Sequence, residues 1–334
     1  MNFSKRFFLT AAASAGALCI AAPAAQAQTP AAGSYPSKPI RFVVGFSAGN
    51  SIDSVARILA EYITTKTGQS VVVENKTGAN GMLAAAEVAR SQPDGYTVLI
   101  SNSSTITVNP SLYKKMTYDV KKDFAPVSLM VSVPFILTVN PAKDPVGSAP
   151  NLKAIMDLAK AKPGGYSYGS AGVGNLTQLS YELLNGMAGT RMTHVAYRGS
   201  APAQVAVLSG EVDSAFDNPS AVPKIKAGQM RAIAVTSAQR WHELPDVPTI
   251  AEAGYPGFDI SFWVGALAPA KTPPAVIKTL SDLIISAQQN PETKAKLQQQ
   301  GNIRMLGPKP FEEQIGSETR QYAEIIRKAG ITLE

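Results

Sequence analysis

Residues 39–65 read PIRFVVGFSAGNSIDSVARILAEYITT, and they set the fold class. Ile40–Val44 is a short run of β-branched and aromatic residues, the composition of a buried strand. From Ser51 the period changes: Val55, Ile58, Leu59, Tyr62 and Ile63 recur at helical spacing and mark a helix over 51–65. Between the two lies a loop of small residues, Phe46-Ser47-Ala48-Gly49-Asn50. The unit is strand, small-residue turn, helix, and it repeats downstream. Gln69–Glu74 reads as a strand, Asn80–Arg90 as a helix, Pro93-Asp94-Gly95 as a turn and Tyr96–Ser101 as a strand. The series resumes with helices at 151–162, 176–187 and 202–208, and with strands at 166–169, 193–197, 212–216 and 231–236. Such alternation predicts an α/β chain of parallel sheets covered by helices on both faces.

Two stretches break the rhythm. Phe124–Val139 and Phe258–Leu267 are long extended runs on either side of the middle third. They predict a second α/β lobe inserted into the first, with two strands crossing between them as a hinge. The expected lobes are 35–130 with 262–334, and 131–261. The last segment, from Pro273, predicts two or three amphipathic helices.

The chain has 334 residues, long enough for two domains. Hydrophobic residues make up 45% and charged ones 16%, which excludes a disordered chain. The net charge of +7 is diffuse: the densest cluster, Lys114, Lys115, Lys121 and Lys122, is interrupted by Asp119 and Asp123, and no aromatic-interleaved basic stripe points to nucleic acid. One cysteine and two histidines exclude a disulfide framework and argue against a His/Cys zinc site; neither a metal nor a cofactor is expected.

Residues 1–27 read as a secretory signal peptide: Lys5 and Arg6, an apolar run over 7–20, then Ala25-Gln26-Ala27 before the cut. Ser4–Leu9 is also similar to a twin-arginine signal. Cys19 falls in the leader, and Leu18 before it is too large for a lipoprotein signal. The mature chain then lacks cysteine, stays basic and has no apolar run of about 18 residues, so it is expected to be an exported, soluble protein.

A second small-residue loop, Gly169-Ser170-Ala171-Gly172-Val173-Gly174-Asn175, opens the helix at 176 as the first loop opens the helix at 51. Small residues let a ligand approach the backbone, and a helix N-terminus favours an anion. One loop falls in each lobe, so hinge closure would bring Ser47, Ser51, Ser170 and Thr177 toward a shared ligand. The plain alternative is that the glycines only make tight turns. Neither loop is a nucleotide fingerprint. Asp53, in the first helical turn, reads as a capping residue or as a group that orients a water or a ligand amine.

As an enzyme, the chain offers Gly165-Tyr166-Ser167-Tyr168-Gly169, a G-x-S-x-G match, with Ser167, Asp217 and His242 in hydrolase order. The context is wrong, because Ser167 would sit inside a strand preceded by Lys162-Pro163-Gly164. His194, on a strand, reads as a structural histidine. Asp213 and Asp217 would lie on one strand face about 13 Å apart, too far to couple.

An ordered set of segments carries a resemblance. Tyr35-Pro-Ser-Lys-Pro-Ile-Arg, Val71-Val-Val-Glu-Asn-Lys, Pro93-Asp-Gly-Tyr-Thr, Asn109-Pro-Ser-Leu-Tyr, Lys122-Asp-Phe-Ala-Pro-Val-Ser, Tyr197-Arg-Gly-Ser-Ala-Pro-Ala, Phe216-Asp-Asn, Ala234-Val-Thr-Ser and Leu244-Pro-Asp-Val-Pro-Thr are similar to the solute-binding receptors of tripartite tricarboxylate transporters, the Bug-type proteins. The resemblance runs from about Tyr35 to the C-terminus. It implies a two-lobed periplasmic binding protein fold that closes on a small carboxylate and delivers it to membrane permease subunits, as a monomer and without catalysis.

By position, the resemblance places Phe46, Ser47, Ala48, Gly49, Asn50, Ser51 and Asp53 on one side of the ligand. Ser170, Ala171, Gly172, Gly174, Asn175 and Thr177 stand opposite. The segment Ser101–Thr105, with Ser103 and Ser104, and Asn218 line the cleft it implies; Phe262 and Trp263 lie by the returning hinge strand. Arg198 stands where lysine is usual and keeps a cation nearby. Ala48, Asn50 and Ile52 depart from the family's pattern in the first loop and leave its donors open. A secreted serine hydrolase using Ser167 and a sensory partner of a signalling receptor are the alternatives.

Overall fold

The computed structural model describes residues 35–197 and 199–331. The leader expected at 1–27 and the side chain of Arg198 lie outside the described residues. Two mixed sheets form the chain, each flanked by helices.

The first sheet begins with the segment that opened the sequence reading. Strand β1 (Ile40–Val44) leads through the small-residue loop into α1 (Ser51–Thr67), then β2 (Val71–Asn75), α2 (Met82–Ala89) and β3 (Thr97–Asn102). Strands β2 and β3 both pair with β1 in parallel. Val55, Leu59 and Ile63 of α1 are fully buried against this sheet, as their spacing demands; each such side chain contributes about 1.5–3 kcal/mol. After β3 comes a helical stretch with a π-turn at Ser104–Val108, running into α3 (Asn109–Leu112), then α4 (Val120–Asp123) and β4 (Phe124–Pro134).

The second sheet takes β5 (Ile136–Val139), α5 (Leu152–Ala161), β6 (Ser167–Ser170), α6 (Leu176–Ala188), β7 (Thr193–Ala196), α7 (Ser200–Ser209), β8 (Ser214–Asp217), α8 (Val222–Lys226) and β9 (Arg231–Val235). The chain then returns through β10 (Ser261–Pro269), α9 (Pro274–Ser286), α10 (Pro291–Gln298), β11 (Asn302–Leu306) and α11 (Pro308–Ala329). Strand order is β11-β4-β10-β3-β1-β2 in one sheet and β7-β6-β8-β5-β9 in the other.

The two-lobed α/β architecture expected from the sequence is present. All-parallel sheets are not. The long extended runs pair antiparallel with each other as β4 and β10, β11 adds antiparallel to β4, and β5 runs antiparallel to both β8 and β9. Strand β11 lay unnoticed between two helical patterns.

At the waist three segments of the chain hydrogen-bond side by side. The Phe135 N–H donates to Thr236 Oγ1 (2.8 Å), the Thr236 N–H to the Phe135 carbonyl (3.0 Å) and the Ile260 N–H to the Thr236 carbonyl (3.0 Å). β4 stays in the first sheet through Pro134, and β10 rejoins it at Ser261. Helix α11 is shared: Phe311 and Ile315 pack in a first-sheet core, while Tyr322, Ile325 and Ile326 bury with Leu152, Leu179 and Leu184 of the other lobe.

Candidate functional site

A cleft of about 420 Å³ opens between the two sheets at the waist. The first lobe contributes Phe46, Asn50, Ser51, Ile52, Asn80, Asn102 and Ser104. The second supplies Asn175, Leu176, Ser200, Asn218, Pro219 and Ser220. Val133, Phe135 and Phe262 of the crossing strands form an apolar wall, and Gln299 and Gln300 close one side. Among the described lining residues there is no Lys, Arg, Asp, Glu or His. A larger hollow of about 570 Å³ lies beside α4 and α11, lined by Tyr118, Phe124 and Ile315, and touches the second sheet nowhere.

Three helices begin at the cleft: α1 at Ser51, α6 at Leu176 and α7 at Ser200. The first N–H groups of a helix have no acceptor within it and carry the positive end of its dipole. Asn50 Oδ1 accepts from the Ile52 and Asp53 N–H groups (2.8 and 3.0 Å), and Asn175 Oδ1 from Thr177 (3.0 Å), so these asparagines cap deeper donors and leave the leading N–H groups of Ser51 and Leu176 without a side-chain cap. Helix α7 has no side-chain cap at all.

The glycine-rich loops use their backbone donors differently from the expectation. In the first, Asp53 is 2% exposed. Its carboxylate accepts from the Gly49 N–H (2.8 Å), Arg57 Nε (2.9 Å) and Asn75 Nδ2 (2.9 Å). Burial alone would raise its pKa, but the bonds from Arg57, Gly49 and Asn75 outweigh burial and hold it below the usual carboxylate range. Asp53 thus binds its own loop, and Ser47, Ala48 and Gly49 are exposed outside the cleft lining.

In the second loop the Ala171 N–H donates to Thr177 Oγ1 (3.0 Å), Gly172 to Ser170 Oγ (3.2 Å) and Gly174 to Gln178 Oε1 (2.7 Å). Ser170 Oγ lies 2.6 Å from His194 Nε2, and burial lowers the His194 pKa. Ser170, Ala171, Gly172, Gly174 and Thr177 bond within the loop, and of its named residues Asn175 lines the cleft.

Of the other candidates, Ser104 and Asn218 line the cleft. Ser103 is buried with an unpartnered Oγ and lies off its surface. Trp263 does not line the cleft: it is fully buried in the first-lobe core, edge-on to Phe311, with Nε1 donating to Glu318 Oε2 (2.7 Å). Neighbouring strand residues face opposite sides, so Phe262 takes the cleft side instead.

Several lining residues were missed. Asn80 sits in the left-handed region (φ 50), its Nδ2 bonded to Asn109 Oδ1 (2.7 Å) and its carbonyl bonded by Thr105 Oγ1 (2.9 Å). The Asn80-Gly81 pair is a turn signal that was read as helix. Ser200 follows Gly199 at a helix start and Ser220 follows Asn218-Pro219 at a turn start, a legible signal; Gln299 and Gln300 carried none.

The residues of the hydrolase alternative go to separate partners. Ser167 Oγ donates to Asp213 Oδ2 (3.0 Å), and Lys143 Nζ lies 2.9 Å from Asp213 Oδ1. Asp217 accepts from Thr138 Oγ1 (2.5 Å). His242 Nδ1 sits 3.0 Å from Asn302 Oδ1, on the other sheet.

The sequence model of the tripartite tricarboxylate transporter family receptor matches residues 55–331. Protein BugT of Bordetella pertussis is 35% identical over 306 residues, covering 91% of this chain and 93% of its own. The solved structure of the periplasmic binding protein BugD is similar at 34% identity with a TM-score of 0.70, covering 90% of this chain and 100% of that one. An R. palustris protein solved with adipate is similar at 32% identity and a TM-score of 0.73, over 89% and 99% of the two chains. A Rhodopseudomonas palustris protein with bound malate, MatC, follows at 28% and 0.69, over 87% and 100%. Two sheets meet at a waist where three helices begin beside one cleft, and the family model covers most of the chain: this protein belongs to the tripartite tricarboxylate transporter receptor family.

Proposed function

We propose that this chain is an extracytoplasmic receptor that captures a small organic carboxylate between its two lobes and presents it to a tripartite membrane transporter. The observation that supports this most is the convergence of α1, α6 and α7 on one cleft from both lobes. Together their leading N–H groups offer the positive potential that a carboxylate needs, in a site whose described side chains carry no formal charge. Amides and hydroxyls at Asn80, Asn102, Ser104 and Asn218 can hold further oxygens, while Phe46, Phe135 and Phe262 suit an apolar body. Similar proteins solved with adipate and malate favour the same class.

Because the donors sit on both lobes, the closed form makes contacts that the open form lacks, and ligand would shift the equilibrium to closure. Export rests on the leader read at 1–27, with a mature N-terminus at Gln28; no helix of the described residues is long and apolar enough to cross a membrane. The mature receptor is read as a monomer.

The test is a thermal-shift screen with acetate, benzoate, malate, adipate and citrate at millimolar concentration. At least one should raise Tm in a concentration-dependent way. A flat response to all five contradicts the proposal.

A further inference from the structure

We infer that Lys224, Gln204 and Ser220 form a hydrogen-bond relay that aims the Ser220 hydroxyl proton into the cleft, making Ser220 a carboxylate-binding donor and Lys224 and Gln204 its positioning residues. The inference rests on the receptor reading above and adds a charge that acts on the ligand from outside the cleft lining.

Gln204 lies on α7 one turn after Ser200 and is 1% exposed. Lys224 Nζ donates to Gln204 Oε1 (2.6 Å), and Gln204 Nε2 donates to Ser220 Oγ (2.7 Å). The direction is fixed by chemistry. A lysine ammonium has only donors, so the amide oxygen must face Lys224 and the amide nitrogen must face Ser220. Ser220 Oγ then accepts from Gln204, and its own proton is left to donate elsewhere. Ser220 lines the cleft, beside Asn218, whose Oδ1 is occupied by the Ser220 N–H (3.0 Å).

A carboxylate oxygen in the cleft is the acceptor this arrangement fits. Each bond polarises the next, so part of the Lys224 charge reaches the hydroxyl although no lysine enters the cleft. The same pair also opposes the burial that pushes Asp217 up to about 6. A lone hydroxyl would be free to turn both lone pairs to its surroundings; the Gln204 amide takes one of them and leaves the proton available to a carboxylate.

The experiment measures affinity by calorimetry for whichever of the five screened carboxylates raises Tm most, in the full mature chain. Ser220→Ala and Lys224→Met should each weaken binding about tenfold, and the double variant should be no weaker than either alone. Independent contributions would instead multiply. Lys224→Arg keeps a donor and should retain affinity, while Lys226→Met removes an equal charge two residues away and should change nothing. Should Lys224→Met fail to fold, Gln204→Met carries the same expectation.

Unchanged affinity in Lys224→Met or Gln204→Met, or multiplicative losses in the double variant, overturns the relay and leaves the receptor intact. Failure of the unmodified chain to bind any of the five overturns the receptor reading, and the relay falls with it.

Discussion

The two glycine-rich segments, one in each lobe, hold their shape by different chemistry. Segment 45–53 is tied by a single buried carboxylate, Asp53, reached from Gly49, Arg57 and Asn75. Segment 169–177 is tied by neutral groups: Thr177 Oγ1, Ser170 Oγ and Gln178 Oε1 each accept one loop N–H. In both, glycine donors are spent inside the loop, and the start of the helix that follows lines the cleft, beside Phe46 and Asn50 in the first and Asn175 in the second. The loops are mounts for helix ends. A mount built on one charge concentrates its cost of failure in one residue; a mount built on three neutral bonds spreads it.

Glycine substitutions break the comparison hardest. Gly174 has φ +74, and a side chain there would place its Cβ 2.6 Å from Leu112 of the opposite lobe. Gly174→Val combines backbone strain with a lobe-to-lobe clash and should lower stability by about 3 kcal/mol, read by denaturant unfolding. Gly49 has φ +84 with open space around it, so Gly49→Ala should cost only about 1 kcal/mol. Equal losses would mean that the two loops are not positioned as described.

The next largest effect belongs to Asp53→Ala, which strands the Gly49 N–H and one Asn75 amide proton and should cost about 2 kcal/mol. Thr177→Ala leaves only the Ala171 N–H without its partner and should cost about 1 kcal/mol. Because Asp53 is held below its usual range, its contribution is present at neutral pH and is lost as pH falls through that lowered value. The difference between Asp53→Ala and the parent should therefore shrink in acid, whereas that of Thr177→Ala should not.

A smaller effect separates the loops from the waist. Desolvation of the half-buried Glu318 carboxyl of α11 pushes it up to about 7; bonds from Gln314 and Trp263 partly offset this, Asp259 opposes them, and Thr107 adds a weak bond. Tyr322 also lies near. With the folded pKa above the ordinary value of 4.5, the folded state keeps a proton that the unfolded chain has released. Stability is therefore fullest below the ordinary carboxylate range and falls as pH rises through about 7. Glu318→Gln should flatten Tm between about pH 5 and pH 7.5, measured by calorimetry, with the parent losing a few degrees over that interval. A parent whose Tm rises across it contradicts this reading.

Much of this was legible in the sequence, and the reasons for the rest are specific. Pattern located α1, α5, α6 and nearly all the strands, because burial on one face marks every third or fourth residue of a helix, while a buried strand reads as a short β-branched run. Strand direction left no such mark: β4, β10 and β11 run antiparallel because of pairings between residues far apart in the chain. Trp263 and Phe262 differ by one position, which flips the face, and β10 carries register shifts beyond Val264. Loop composition showed that a backbone could approach a ligand at Gly49 and Gly172; it could not show that Asp53 and Ser170 would take those N–H groups first. Asn80, Gln299 and Gln300 come to the cleft only through tertiary packing.

The central claim is that helix starts in both lobes face one anion, and backbone amide NMR tests it directly. On titrating ¹⁵N-labelled protein with the carboxylate that binds best, the Ser51, Leu176 and Ser200 amides should shift together along one saturation curve. Shifts confined to the amides of a single lobe would contradict the account.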